Sequence, residues 1–117
     1  MVSIKWLELA KKKLDPKDRV QREYEVRFDG KTGWLVMSFR KLLFVEERGF
    51  LRKQYNLLLD LLYENIDNIA LERDQLVITD SENLKHICTS RYVNLLTIRN
   101  NLNLLVQQIQ PKILAQQ

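Results

Sequence analysis

The sequence predicts a mainly β domain with one long helix at its C-terminal end and a short helix at its N-terminal end. Three observations support this prediction. Apolar and charged residues alternate from Arg22 to Phe28, two apolar runs flank a polar turn between positions 34 and 45, and apolar residues recur every three or four positions between 92 and 109. With 117 residues, of which 45% are hydrophobic, the chain is long enough for one domain with a packed core.

Residues 3–14 have the pattern of a short amphipathic helix. Ser3 is a suitable N-cap, and Asp15-Pro16 ends the segment. The apolar residues on one face are Trp6, Leu7, Ala10 and Leu14. A basic helix with a tryptophan can lie on an anionic membrane, or it can pack on its own domain, which its small apolar area favours. We predict that residues 1–21 comprise this helix and a linker.

The first half of the sheet follows from alternation and turn chemistry. The apolar residues of the first strand are Tyr24, Val26 and Phe28. Asp29–Gly33 is a hairpin turn, because an Asp-Gly pair tolerates positive φ. The next predicted strands are Trp34–Met37 and Leu42–Val45, joined by a turn at Ser38–Lys41 and followed by a second hairpin end at Glu46–Lys53. Gly49 interrupts the apolar pattern within that last segment.

Residues 54–70 fit two patterns. A strand that starts near Gln54 would directly follow the hairpin end, but apolar residues also recur at helical spacing. The residues with helical spacing are Tyr55, Leu58, Leu62, Ile66 and Ile69. We favour strands, because the polar run Glu72–Gln75 then separates this segment from the β-prone Leu76–Thr79. The next predicted elements are a turn at Asp80–Asn83 and a strand at Leu84–Thr89.

The clearest helix begins at Ser90 and ends before Pro111. Its apolar face consists of Tyr92, Leu95, Ile98, Leu102, Leu105 and Ile109. We expect this face to cover the sheet, since a sheet needs a second layer over its apolar side. Residues 111–117 form a predicted frayed tail.

The order of these motifs resembles the pleckstrin-homology (PH) superfamily, in particular its bacterial and archaeal PH-like and GRAM-like members. In that family a Gly-x-Leu strand leads through a Ser/Thr-x-x-Arg-type turn into an aliphatic-Phe strand, and a Tyr-x-x-Ile-x-x-Ile segment follows later. The matching residues here are Gly33, Leu35, Ser38, Lys41, Leu42, Leu43 and Phe44, then Tyr63, Ile66 and Ile69. The resemblance covers residues 22–110, and its motifs are mostly core and turn residues, so it concerns the fold more than the function.

The resemblance implies a PH-like fold: a seven-stranded, strongly bent antiparallel β-barrel that the C-terminal α-helix caps at one end. Two positions depart from the family pattern. Leu62 stands where the family often has proline, and the strand Trp34–Met37 lacks the paired basic residues of phosphoinositide-binding members. The second departure argues against a stereospecific phosphoinositide site.

The sequence also argues against several function classes. A Gly-rich phosphate loop, an HExxH motif and a nucleophile elbow are absent, so we predict a non-catalytic protein without a cofactor. His86 and Cys88 alone cannot build a zinc site, and we expect both to be structural. The longest apolar run, Leu57–Tyr63, is far shorter than the roughly 20 residues of a membrane span. The first lysines follow the apolar residues rather than precede them, so we expect a cytoplasmic protein, with peripheral membrane association as an option.

Positive charge is concentrated in the first half of the chain. Residues 1–53 hold 14 of the 19 Lys and Arg against 8 of the 15 Asp and Glu, a balance of +6, whereas the remainder carries −2. Alternate turns of a meander lie at one end, so the turns that begin at Asp29, Glu46 and Asp80 should share an edge. The candidate lipid- or anion-binding residues there are Lys31, Arg48, Phe50, Leu51, Arg52, Lys53 and Lys85.

Cations around an exposed apolar tip are typical of a module that binds an anionic membrane surface, and this is the function we predict. The alternative for the apolar tip is that it folds back as a small core. The alternative function is a protein-interaction module, because members of the family commonly bind peptides in the groove between the final helix and a neighbouring strand. The polar outer face of that helix also suits a second copy, so a homo-oligomer stays open. Nucleic-acid binding rests only on an isoelectric point near 9.3 and is disfavoured, since a series of exposed aromatic stacking positions interleaved with the cations is not apparent from the sequence.

Overall fold

The computed structural model describes residues 4–110, which form one antiparallel sheet between two helices. The helices are α1 (Lys5–Lys11) and α2 (Leu95–Ile109). The strands are β1 (Val20–Phe28), β2 (Lys31–Ser38), β3 (Lys41–Arg48), β4 (Gln54–Leu62), β5 (Ile66–Glu72), β6 (Gln75–Asp80) and β7 (Lys85–Thr89). They lie in the order β4-β3-β2-β1-β7-β6-β5, so the prediction of a mainly β fold with two helices is confirmed. The predicted N-cap Ser3 and the predicted tail at 111–117 lie outside the described residues.

Strands β2 and β3 are buried on both faces, which explains their continuous apolar sequence. Successive side chains of a strand point to opposite faces. The side chains that enter the main core, against α2, are Leu35, Met37, Leu42 and Phe44. Those that enter a second core, against α1, are Val36, Leu43 and Val45. The centre of the sheet is therefore the middle layer of three.

Helix α1 packs on its own domain. Trp6 is 9% exposed and stacks on Trp34 of β2, with ring centroids 4.3 Å apart and planes at 4°. Ala10 is fully buried one turn further along. Of the two interpretations of this amphipathic helix, packing against the sheet is the one observed, because its apolar face is already covered.

The segment after the second hairpin end is strand β4, and the helical alternative for residues 54–70 is wrong. The pairing of β4 with β3 shifts by one residue at Leu58, which is the extra residue of a β-bulge. Because of this bulge, the inward-facing side chains before and after Leu58 enter different cores on opposite faces of the sheet. The side chains before it that pack in the second core are Tyr55 and Leu57, and those after it that pack in the main core are Leu59 and Leu61. Leu58 and Leu62, which belong to the helical pattern, are exposed.

The bent barrel that the resemblance implies is not closed. Among the described residues, β4 and β5 are both edge strands, and a 3₁₀ turn at Tyr63–Asn65 links them. Tyr63 is fully buried, and its hydroxyl donates a hydrogen bond of 2.6 Å to the Ser38 carbonyl oxygen. The Gln110 side-chain amide donates to the carbonyl oxygens of Tyr63 and Ile66. These contacts hold the end of α2 at the gap between the two edge strands.

Helix α2 begins at Leu95, five residues later than predicted. Asn94 is the N-cap, and its side-chain oxygen accepts a hydrogen bond of 2.8 Å from the amide two residues on. Ser90 forms a turn instead, since its hydroxyl accepts from the amides two and three residues on and donates to the Glu25 carbonyl oxygen. Tyr92, which was predicted to lie on the buried face, is consequently 74% exposed.

Candidate functional site

The loop Gly49–Lys53 connects β3 to β4 and presents two large apolar side chains to solvent; we call it the tip loop. Phe50 and Leu51 are each 91% exposed. Gly49 turns the chain with a φ of +97°, and a Cβ at this position would clash with the Arg52 carbonyl oxygen, so the loop requires glycine. Because both apolar side chains are exposed, the alternative in which this apolar tip folds back as a small core is wrong.

Three of the predicted cations lie in the tip loop or directly before it. Arg48 is the last residue of β3, and both it and Arg52 are exposed. Lys53 is about half exposed, and its Nζ lies 3.3 Å from the Glu47 carboxylate. An exposed ion pair of this kind contributes little free energy, so Lys53 can exchange this partner for a ligand. Burial, and next the Glu47 carboxylate, raise the pKa of the Tyr55 phenol.

A groove of about 750 Å³ lies between the tip loop and the start of α1; we call it the α1 groove. Its walls include Ile4, Lys5 and Trp6 on one side and Arg52, Lys53 and Tyr55 on the other. A second depression shares the walls at Lys5, Lys53 and Tyr55 and extends along α1 to Lys12, and we include it in the α1 groove. Lys5 and Lys12 were not assigned to the site from the sequence. Their spacing of seven residues, two helical turns, indicated a shared face, but it did not indicate where the helix would dock.

The other two predicted cations occupy different positions. Lys31 opens β2, two residues before Gly33, which pairs with Glu46, so it lies at the same end of the sheet as Arg48. Lys85 opens β7, three strands from β3, which corresponds to about 14 Å across the sheet. Charges are largely screened beyond about 8 Å at physiological ionic strength. The structure therefore brings Lys31 toward the tip loop and leaves Lys85 apart from it.

Carboxylates surround the start of β7, where the turns at Asp29 and Asp80 meet as expected for one end of a meander. His86 lies between them, with Nδ1 3.2 Å from Asp29 Oδ2 and Nε2 3.0 Å from Asp80 Oδ2. The hydrogen bond with His86, followed by those from two backbone amides, lowers the pKa of the Asp80 carboxyl. Lys85 is thus next to the carboxylates of Asp29 and Asp80, whose negative charges offset its own. It therefore adds little to the positive charge around the tip loop.

Neither a metal site nor a membrane-spanning helix is found in the described part of the chain. Within residues 4–110, no group of three or more His, Cys, Asp or Glu side chains is arranged to hold a metal ion. Cys88 lies in the main core, where burial, and next the charge of Asp29, raise the pKa of its thiol to about 12. Neither of the two described helices is long and apolar enough to cross a membrane.

A second groove, of about 380 Å³, opens beside the junction of β1 and β7. The two strands pair only at Arg27 and Phe28, with Thr89 and Cys88 as partners. Beyond that point the chain leaves the sheet toward α2. The groove is lined by residues that include Glu25, Arg27, Ser90, Arg91 and Tyr92. It therefore lies between a strand and the segment that enters the final helix.

A scan against protein-family models gives no match to this chain, and a search of curated proteins gives none either. The function is therefore inferred from the tip loop and the two grooves. The tip loop is the strongest candidate, because an exposed apolar patch rimmed by polar residues is typical of a surface that binds a partner or a membrane.

Proposed function

We propose that this chain is a non-catalytic PH-like binding module that associates with an anionic membrane surface through its tip loop. One observation carries the proposal: Phe50 and Leu51 are each 91% exposed, directly between the cations Arg48 and Arg52. Inserted apolar side chains and headgroup-binding cations are the two signals that a stable interfacial association needs.

The size of these contributions suits weak, reversible association. Full burial of a Phe or Leu side chain is worth about 1.5–3 kcal/mol. Each nearby Lys or Arg adds about 1 kcal/mol at an anionic surface. The two apolar side chains and the three cations Arg48, Arg52 and Lys53 thus supply about 6–9 kcal/mol before the cost of immobilisation is subtracted.

The PH-like identity is supported by connectivity and by the location of the motif residues. Strands β1 to β4 form one meander of the sheet and strands β5 to β7 form a second, and helix α2 follows them. The motif residues Gly33, Leu35, Phe44, Tyr63 and Ile66 are all buried. Buried motif residues are what a PH-like fold would require, and they support this part of the proposal.

Vesicle co-sedimentation tests the proposal. We expect the protein to sediment with vesicles that contain phosphatidylserine and to stay in the supernatant with phosphatidylcholine alone. The double variant Phe50→Ser, Leu51→Ser and the double variant Arg52→Glu, Lys53→Glu should each weaken binding about tenfold or more.

The matched control is the double variant Leu84→Ser, Lys85→Glu, which alters an exposed leucine just before β7 and the cation that begins this strand. It should bind as the unmodified protein does. Equal loss in the control and in the tip-loop variants, or no loss in the latter, would exclude the tip loop as the membrane-binding surface.

A peptide-binding module is the second candidate, favoured by the groove at the junction of β1 and β7. An extended peptide could add to β1 beyond Arg27, where pairing with β7 ends. The variant Tyr92→Ala removes a 74% exposed ring from the groove wall. A pull-down that responds to this variant, but not to the tip-loop variants, would favour the peptide-binding function.

A further inference from the structure

The α1 groove gathers cations from two separate elements. Lys5 and Lys12 come from α1 and its C-cap, whereas Arg52 and Lys53 come from the tip loop. Among residues 4–110, the lysine ion pairs are those of Lys41 with Asp60 and of Lys53 with Glu47. The charges of Lys5, Lys12 and Arg52 are therefore not neutralised by a described carboxylate within ion-pair distance.

The charge of the groove matches one chemical group. Its four cations are opposed by Glu8 in the groove wall and by Glu47, which pairs with Lys53, so the surplus is +2. A phosphomonoester carries about −1.5 to −2 charges at pH 7 and three strong acceptor oxygens. A phosphodiester carries a single negative charge and has fewer free oxygens, so it would leave about one positive charge of the groove without a counter-charge.

The groove wall is rigid on the helix side. Trp6 is held by its stacking on Trp34, and Ala10 is fully buried, so the backbone that carries Lys5 and Lys12 is fixed relative to the sheet. A fixed backbone lowers the entropy lost when these side chains bind a ligand. Arg52 adds a planar guanidinium, which suits bidentate contact with phosphate oxygens.

The groove also opens where the proposed membrane contact lies. Two exposed apolar residues of its wall are Ile4, which is 50% exposed, and Leu51, which belongs to the tip loop. When the tip loop enters the interface, the groove is brought to the level of the lipid headgroups. From these observations we infer that the α1 groove binds a phosphomonoester lipid headgroup. This inference rests on the proposed function and names the headgroup class for the same surface.

The test compares two anionic lipids at matched surface charge. Vesicles that contain phosphatidic acid present a phosphomonoester, and vesicles that contain phosphatidylglycerol present a phosphodiester; their zeta potentials are adjusted to be equal. We expect the unmodified protein to bind the phosphatidic acid vesicles about tenfold more tightly. Equal binding to both lipids would overturn the inference and leave the proposed function standing, whereas binding to neither would overturn both.

Two matched variants locate the selectivity. The double variant Lys5→Gln, Lys12→Gln removes the two groove cations of α1, and we expect it to lose the preference for phosphatidic acid while it still binds phosphatidylglycerol vesicles. The control, Lys11→Gln with Lys13→Gln, removes the same charge from exposed residues nearby that do not line the groove. Selectivity that survives the first variant, or that is lost equally in the control, would overturn the inference.

A soluble probe distinguishes a lipid headgroup from a free phosphate compound. Glycerol 3-phosphate is titrated into isotope-labelled protein while backbone amide resonances are followed by NMR. We expect the amide resonances of residues 4–6 and 51–55 to shift, and we expect the same unmodified protein to prefer phosphatidic acid vesicles. The same shifts without vesicle binding would overturn the lipid source and assign the groove to a soluble phosphomonoester.

Discussion

Replacement of Trp6 by alanine tests whether α1 is an integral layer of the fold. The indole is 9% exposed and stacks on Trp34 at a centroid distance of 4.3 Å. A buried tryptophan covers about 200 Å², which corresponds to about 5 kcal/mol at 25 cal/mol per Å². Truncation of a core tryptophan to alanine costs about 3–5 kcal/mol in practice.

The loss in free energy of unfolding cannot exceed the free energy with which α1 docks on the sheet. Because α1 has only seven residues and adds no strand to the sheet, it can detach once its main contact is removed, and the sheet then stays folded. We therefore expect a loss of about 3 kcal/mol, which lowers the melting temperature by about 10 °C in a chain of this size. We also expect a smaller urea m-value, since a native state with α1 detached has less surface left to expose.

Urea and thermal unfolding, followed by circular dichroism, measure both quantities. Trp6→Phe retains an aromatic ring against Trp34 and should lose less than half as much. Leu51→Ala, at a residue that is 91% exposed, should change the free energy of unfolding by less than about 0.5 kcal/mol. If Trp6→Ala behaved like Leu51→Ala, α1 would not be docked and the α1 groove would not exist.

Three further predictions concern buried polar and ionisable groups. Tyr63→Phe removes the hydrogen bond to the Ser38 carbonyl oxygen and should lower the free energy of unfolding by about 1–2 kcal/mol; an unchanged urea midpoint would contradict this. The Cys88 thiol, whose pKa burial raises to about 12, should react with a disulfide reagent at pH 8 only as the protein unfolds, so immediate labelling of native protein would be inconsistent with its burial. The lowered pKa of Asp80 stabilises the fold above the pKa of about 3.9 that the group has when unfolded, and this contribution is lost as the pH falls through the folded value. The difference in free energy of unfolding between the unmodified protein and Asp80→Asn should thus narrow below about pH 4. A difference that stays constant from pH 7 to 2 would refute this role of the Asp80 carboxylate.

Much of the sheet could be predicted from the sequence because its turns are specified locally. Asp29 and Gly30 both have positive φ, at 50° and 82°, as the Asp-Gly signal requires. Gly49 marks the loop between β3 and β4 in the same way. Each of these positions fixes a turn without reference to distant residues, so strands β1 to β3 could be located. The predicted bounds of β2 and β3 were too short, because both strands continue by three residues into the predicted turns, to Lys31 and to Arg48.

Strand β4 was ambiguous because its pattern depends on its partner. Apolar residues at Leu57, Leu58 and Leu59 satisfy both a helical and an extended chain. Burial alternates residue by residue along β4, but the bulge at Leu58 moves the inward side chains from one face of the sheet to the other, so the alternation alone does not show which core each side chain enters. Only the register with β3 decides between the two, and register is a property of two segments rather than one.

The candidate site could be predicted only in the part that one loop supplies. The exposed tip of the loop followed from its turn, whereas the cations of α1 depend on where that helix docks. The sequence nevertheless contained a reason for the docking. Trp34, Val36 and their neighbours are apolar at every position, so both faces of β2 need a cover, and α2 can provide only one. The amphipathic helix at the start of the described chain is what covers the other face, and the side of α1 turned toward β4 is the side that carries Lys5 and Lys12. The same apolar pattern that makes the sheet a middle layer therefore also places two cations beside the tip loop.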